Sequence, residues 1–191
     1  MEMNVRIGET FDFKDEESFK QWAEEVVQGT ENEEGVSLVL SAFTSKQRTL
    51  QLKEKEMQRH IFKAILAASY VLADNGHLII KLYTVFQRMS IELMFLLFAL
   101  FEDFRIVKPN SSHPKKLERF AICSKFRQGM AKELKENLLQ MLPHIASDDF
   151  MKQDGSIIDL NTVMAAKDFN KFIDAMNTTT MQKLKLELDN P

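Results

Sequence analysis

The run "HLIIKLYTVF", residues 77–86, holds one charged side chain, Lys81, inside what otherwise reads as a buried strand. Working downstream, "SIELMFLLFALFEDF" (90–104) is an apolar run suited to a mostly buried helix, and "FRIVKP" (104–109) is a strand ended by Pro109. "NSSHPKK" (110–116) is a turn, and "ERFAICSKF" (118–126), with Glu118 at its mouth, is a strand with partial alternation. A turn that short lets the last two strands pair as an antiparallel hairpin. Working upstream, "DNG" (74–76) is a helix stop and turn. Ile61, Ile65, Ala68 and Leu72 give one apolar face to a helix from about Met57 to Leu72, entered from a charged loop. "VSLVL" (36–40) is a short strand. Phe19, Trp22, Ala23, Val26 and Val27 recur at helical spacing, after Asp15 and Glu16 and before Gly29. Strands alternating with helices give an α/β layer with a largely parallel sheet.

Beyond Arg127 the pattern changes. "MAKELKENLLQMLPHI" (130–145) is amphipathic, with Leu134, Leu138 and Leu142 on one side. "FNKFIDAMNTTTMQKLKLELD" (169–189) is a second helical segment, with a break expected at "NTTT". The division expected is therefore a sheet domain over 1–127 and a helical C-terminal extension over 128–191, packing on that domain or on a partner.

Composition bounds the possibilities. The 191 residues are 45% hydrophobic and 28% charged, which is enough apolar mass for a full core. A net charge of −3 argues against nonspecific nucleic-acid binding by the whole surface but leaves room for a local basic patch. Cys123 is the single cysteine and is expected to be a small buried hydrophobe, which fits a reducing compartment. The first residues have no apolar core of a signal peptide, and 90–104 is too short for a membrane span. An intracellular protein, nuclear or cytoplasmic and without a membrane role, is expected. The four histidines lack metal-ligand spacing, so no metal site is expected.

Ligands of open α/β sheets sit outside the carboxyl ends of the strands. Lys81 lies late in its strand and Glu118 opens an antiparallel one, so both belong to that edge and can meet over one cleft. A paired lysine and carboxylate favour each other's charged state and can steer the proton of a reacting hydroxyl; they can equally be a purely structural ion pair. Lys108, Lys115, Lys116, Arg119, Lys125 and Arg127 surround the hairpin, either as a solvated turn or as a phosphate-contacting patch.

These residues also carry a resemblance. Gly76, His77, Lys81, Phe104, Lys108, Pro109, Ser112, Glu118, Arg119 and Cys123 fall in register with the second half of the FtsJ-like ribose 2′-O-methyltransferases, most of all the eukaryotic cap-specific mRNA enzymes. The similarity runs from about Phe19 to Arg127 and continues weakly through "DLNTVMAAKDFNKFIDAM" (159–176). It implies the C-terminal half of a Rossmann-like sheet, S-adenosylmethionine as cofactor and capped mRNA as partner. It maps the second lysine of a Lys-Asp-Lys-Glu tetrad onto Lys81 and the glutamate onto Glu118, with Lys108, Ser112, Lys115, Lys116 and Arg119 facing RNA. The departures are plain. Ser41 or Ala42 stands where the tetrad Asp belongs, and no acidic residue occurs between Val36 and Lys53. No G-x-G-x-x-G loop occurs, the first tetrad lysine is missing, and His113 replaces the usual Arg after Ser112. The expectation is a truncated or catalytically degenerate methyltransferase. The alternative is a noncatalytic methyltransferase-like module that binds RNA, or a protein partner covering the sheet edge that half a Rossmann sheet leaves open.

Overall fold

A computed structural model describes residues 15–30, 34–112, 116–147, 149–150 and 155–189. Lys115 and His113, named above, lie outside them. The elements run α1 (Glu16–Gln28), β1 (Val36–Ser41), α2 (Leu50–Val71), β2 (Leu72–Leu82), α3 (Arg88–Leu100), β3 (Phe101–Val107), β4 (Arg119–Phe126), α4 (Gln128–Ala146), α5 (Leu160–Ala165) and α6 (Lys167–Asp189). The four strands form one sheet in the order β1-β2-β4-β3. β1 pairs parallel with β2, and β4 inserts antiparallel between β2 and β3. This is the mixed α/β sheet with a terminal antiparallel strand expected of a Rossmann-like methyltransferase.

Local chemistry explains most boundaries. Asp15 caps α1 by accepting from the Ser18 amide, and Thr49 caps α2 by accepting from that of Leu52. That cap starts α2 seven residues before Met57, so the charged stretch expected as loop is helix. The "DNG" turn is different in kind. The chain is already extended at Leu72, and residues 73–76 bulge between the Val36–Leu72 and Leu38–His77 pairs, with Asn75 in the left-handed region. Gly76 sits in this bulge, where a Cβ would meet the Ala73 carbonyl oxygen at 2.9 Å. Phe101–Asp103 are strand, not the end of α3, because they pair with β4. "NTTT" does not break α6. Thr179 and Thr180 donate to the carbonyls of Ala175 and Met176, and Asn177 donates to the Val85 carbonyl, so these side chains do not compete for the helix's own amides.

The strand period of two separates the sheet's faces sharply. Val39, Leu78, Ile80, Leu82, Ala121 and Cys123 lie on one face and are all buried. That face packs beneath α2, α3 and α4, while α6 sets Phe172 edge-on against Phe104. Leu38, Leu40, Ile79, Lys81, Phe120 and Ile122 lie on the opposite face, and none of them is fully buried. α4 also contacts α1 and α2, so the helical extension thickens the layer already present. Among the described residues no helix is long and apolar enough to cross a membrane.

Candidate functional site

Three chain segments reach the carboxyl edge of β2 on the sheet's open face. β2 delivers Lys81, which lies opposite Phe120 of β4. Glu118 stands one residue before β4, so the antiparallel strand starts where the parallel one ends. The structure brings the two together: Lys81 Nζ lies 3.0 Å from Glu118 Oε1, with side chains 12% and 26% exposed. Lys81 Nζ also donates to Thr44 Oγ1 at 3.4 Å and lies 5.6 Å from the Tyr83 ring centroid. Thr44 belongs to the loop after β1. That loop is anchored to α2 by Phe43 stacking on His60 at 3.5 Å and by Ser45 donating to Glu56 at 2.5 Å. Lys81 therefore meets one carboxylate and one neutral hydroxyl, while the end of β1 contributes Ser41 and Ala42 and no acid.

The loop after Lys81 is held by a residue that sequence reasoning missed. Glu54 on α2 is buried; its Oε1 accepts from the amides of Phe86 and Gln87, both at 2.7 Å, and its Oε2 from the Thr84 hydroxyl at 2.7 Å. Gln58, also buried, donates to Gln87 and Ser90. The available signal was spacing: Glu54 and Gln58 share the helical face of Met57, Ile61 and Ile65, and polar groups on an apolar face need partners. From the other side Asn177 of α6 donates to the Val85 carbonyl at 2.8 Å. A polar cleft of about 240 Å³ opens beside the same loop, lined by Gln51, Lys55, Gln58, Gln87, Arg88 and Gly155.

A second buried carboxylate, Glu92 on α3, fastens the extension. It accepts from Arg88 Nε, the Ser156 hydroxyl and the amides of Ile157 and Ile158.

The basic residues around the hairpin do not form one patch. Lys108 and Lys116 are side by side at the carboxyl edge, where Lys108 donates to the Lys116 carbonyl. Ser112 closes the turn by donating its amide to the Pro109 carbonyl, and its buried hydroxyl has no hydrogen-bond partner among the described residues. Arg119 pairs with Leu82, so it points to the helical face, away from Lys81, and packs with Ile106, Met176 and Thr180. There burial lowers its pKa. Lys125 and Arg127 sit at the far end of β4, where Lys125 pairs with Glu102 at 3.1 Å. An eight-residue strand separates the two groups, roughly 25 Å at the usual rise. Two cations missed earlier, Lys46 and Arg48, are exposed on the Thr44 loop.

A cofactor cradle for S-adenosylmethionine does not assemble from the described residues. Gly35 precedes β1 and Gly76 lies in the bulge of the first half of β2, both away from Lys81, and a Cβ on Gly35 would meet the Val71 carbonyl oxygen at 2.5 Å. They serve close packing rather than a phosphate or methionine site. Cys123 is fully buried, and burial raises its thiol pKa. Among the described residues no three His, Cys, Asp or Glu side chains gather as a metal site.

Comparison with known proteins gives the family. Residues 1–126 match the model of the FtsJ-like methyltransferases. The cap-specific mRNA (nucleoside-2′-O-)-methyltransferase 1 of Xenopus laevis is 28% identical over 115 residues, 59% of this chain and 13% of that protein. Its Drosophila melanogaster counterpart is 28% identical over 109 residues, 57% of this chain and 13% of that protein. An inactive cap-specific mRNA (nucleoside-2′-O-)-methyltransferase 1B of Caenorhabditis briggsae is 26% identical over 129 residues, 66% of this chain and 15% of that protein. The chain thus spans about an eighth of the length of the relatives it matches. With a mixed α/β sheet of this order and a family match over 126 of 191 residues, this chain belongs to the FtsJ-like methyltransferase family.

Proposed function

We propose that this chain is a catalytically degenerate member of the family that binds RNA, in the capped-mRNA class of its relatives, and holds a ribose 2′-hydroxyl at Lys81 and Glu118. The observation that carries this reading is the 3.0 Å ion pair completed by the Thr44 hydroxyl instead of a second carboxylate. The Lys81 ammonium donates to the ribose oxygen, and Glu118 fixes the ammonium over the cleft. Thr44 adds a neutral contact and cannot supply the negative charge of an Asp. Lys46, Arg48, Lys108 and Lys116 stand along the same edge as phosphate contacts, which position RNA without reading its sequence. Ser112 belongs to that turn in this reading, and Lys115, outside the described residues, is carried only as a phosphate contact expected from the sequence, whereas Arg119 acts on the other face as a packing residue. S-adenosylmethionine would supply the methyl group in the family reaction. The described residues do not fit it. Residues 1–127 are then a partial FtsJ-like domain, and 128–191 an extension that braces the loop after Lys81 through Asn177. An mRNA ligand implies a nuclear or cytoplasmic site of action.

The test pairs two titrations of the purified chain. Capped RNA with a free 2′-hydroxyl on its first nucleotide should bind in a salt-dependent manner, and Lys81→Ala should weaken it about tenfold, the order of 1.4 kcal/mol. RNA already methylated at that position should lose the same increment. Calorimetry with S-adenosylmethionine should give no saturable heat. Saturable binding with methyl transfer to capped RNA would establish an active enzyme instead. Absence of RNA binding at low salt would overturn the reading.

A further inference from the structure

Different chemistry holds the two halves of α6. The first half is seated by rings. Phe169, fully buried, packs against Phe95 at 5.3 Å and Phe98 at 5.6 Å, and Phe172 meets Phe104 at 5.5 Å. The second half is seated by polar groups that are only partly satisfied. Asn177 donates to the Val85 carbonyl, but its buried Oδ1 has no hydrogen-bond partner among the described residues. Thr180 is buried, yet its hydroxyl donates back to the Met176 carbonyl of its own helix. Arg119 lies beneath this half. It lines a slot with Val85, Ile106, Met176 and Thr180 that has no room for a water molecule. Among the described residues its guanidinium has no hydrogen bond and no ion pair. Desolvation without a partner disfavours the charge, so the closed seat works against itself.

We propose that the second half of α6, from Asn177 onward, is a hinged strap, and that Arg119 beneath it is a latent phosphate contact that swings out to the RNA backbone when the strap lifts. Arg119 opens β4 at the carboxyl edge, next in sequence to Glu118 and at the same edge as Lys108 and Lys116. Lifting gives up the Asn177–Val85 hydrogen bond and the packing of Thr180, and it hydrates the Arg119 guanidinium and Asn177 Oδ1. The rings of Phe169 and Phe172 keep the first half in place and act as the hinge. A guanidinium outside the slot presents its fork of donors to a phosphate. Arg119 meets RNA only in the lifted state, so RNA favours lifting, and lifting favours RNA by the same factor. RNA as the ligand rests on the function proposed above; the strap itself is measurable without RNA.

The test reads hydrogen exchange of the whole chain, and capped-RNA affinity across a salt series, for the wild type, Arg119→Met, Arg119→Lys and Asn177→Ala. Without RNA, the amides of residues 177–181 should exchange faster than those of 169–173. Arg119→Met removes the unpaired charge and should slow exchange at 177–181 by at least about threefold. Asn177→Ala removes the strap's hydrogen bond to Val85 and should speed it. Capped RNA should speed exchange at 177–181 and leave 169–173 unchanged. The slope of log affinity against log salt should be shallower by about 0.7 in Arg119→Met, one phosphate contact on a single strand, and unchanged in Arg119→Lys. RNA that protects 177–181, or a wild-type salt slope in Arg119→Met, overturns the proposal while RNA binding itself stands. So does exchange at 177–181 that Arg119→Met leaves unchanged or speeds, a result that needs no RNA. A wild type that binds no RNA at low salt overturns the function proposed above, and the phosphate contact of Arg119 with it.

Discussion

The two faces of the sheet differ by one step along each strand, and that step decides what a residue does. Ile80 is sealed under the helices, while Ile79, its neighbour, lies half-buried on the open face. Cys123 is buried on the first face and Ile122 half-buried on the second. Lys81 comes next and falls on the open side, where its ammonium can meet Glu118, Thr44 and a ligand. Arg119 is offset by one from Glu118 and falls on the other side, among Met176 and Thr180. A charged side chain within an apolar strand reaches solvent and charged partners on one face and is a packing element on the other.

The sharpest way to break this comparison is a pair of truncations. Ile80→Ala should cost about 2–5 kcal/mol in urea unfolding, the usual range for a buried aliphatic, and Ile79→Ala clearly less. Equal costs would mean that the open face is covered in solution. Next comes the carboxylate behind the site. Glu54→Ala leaves the amides of Phe86 and Gln87 and the Thr84 hydroxyl without their acceptor, so a loss of about 3 kcal/mol is expected, with faster exchange at Phe86 and Gln87. Unchanged exchange there would show that α2 does not hold the loop.

A pH titration sharpens the buried side. Burial raises the Cys123 thiol pKa, so the folded state keeps a proton that the unfolded chain releases. Its stabilisation is fully present below the unfolded thiol value and is lost as pH rises above it, at up to about 1.4 kcal/mol per unit. The Cys123→Ala variant should be flatter above about pH 8.5. Tyr70 adds a loss of the same sign at higher pH, because burial first, and then the Glu136 carboxylate, raise its phenol pKa. The smallest effect is expected on the open face. Lys81→Met should change stability by about 1 kcal/mol or less, the range of a partly exposed ion pair, while weakening RNA binding as described above. A large loss would mark the pair as structural.

Much of this was legible in the sequence. The order of strands and helices through residue 126 follows from periodicity, and the register of Lys81 and Glu118 follows from where apolar runs begin and end. The misses share a cause. The bulge at Asp74–Gly76, the early strand at Phe101 and the unbroken α6 all depend on what a distant strand or loop offers the backbone. Glu54 and Glu92 were invisible as anchors because, Arg88 apart, their donors lie 30 or more residues away along the chain. The apparent basic cluster dissolved because positions near in sequence occupy opposite ends and faces of β4.

The sequence by itself determined the α/β alternation, the apolar stripes and the lack of a carboxylate at the end of β1, since these are properties of local spacing and residue type. Only the tertiary structure decided that β4 inserts between β2 and β3, that one face stays bare, and which charges meet at Lys81. Strand order and facing are fixed by long-range pairing, and no local preference distinguishes a lysine that finds a glutamate 37 residues away from one that finds water.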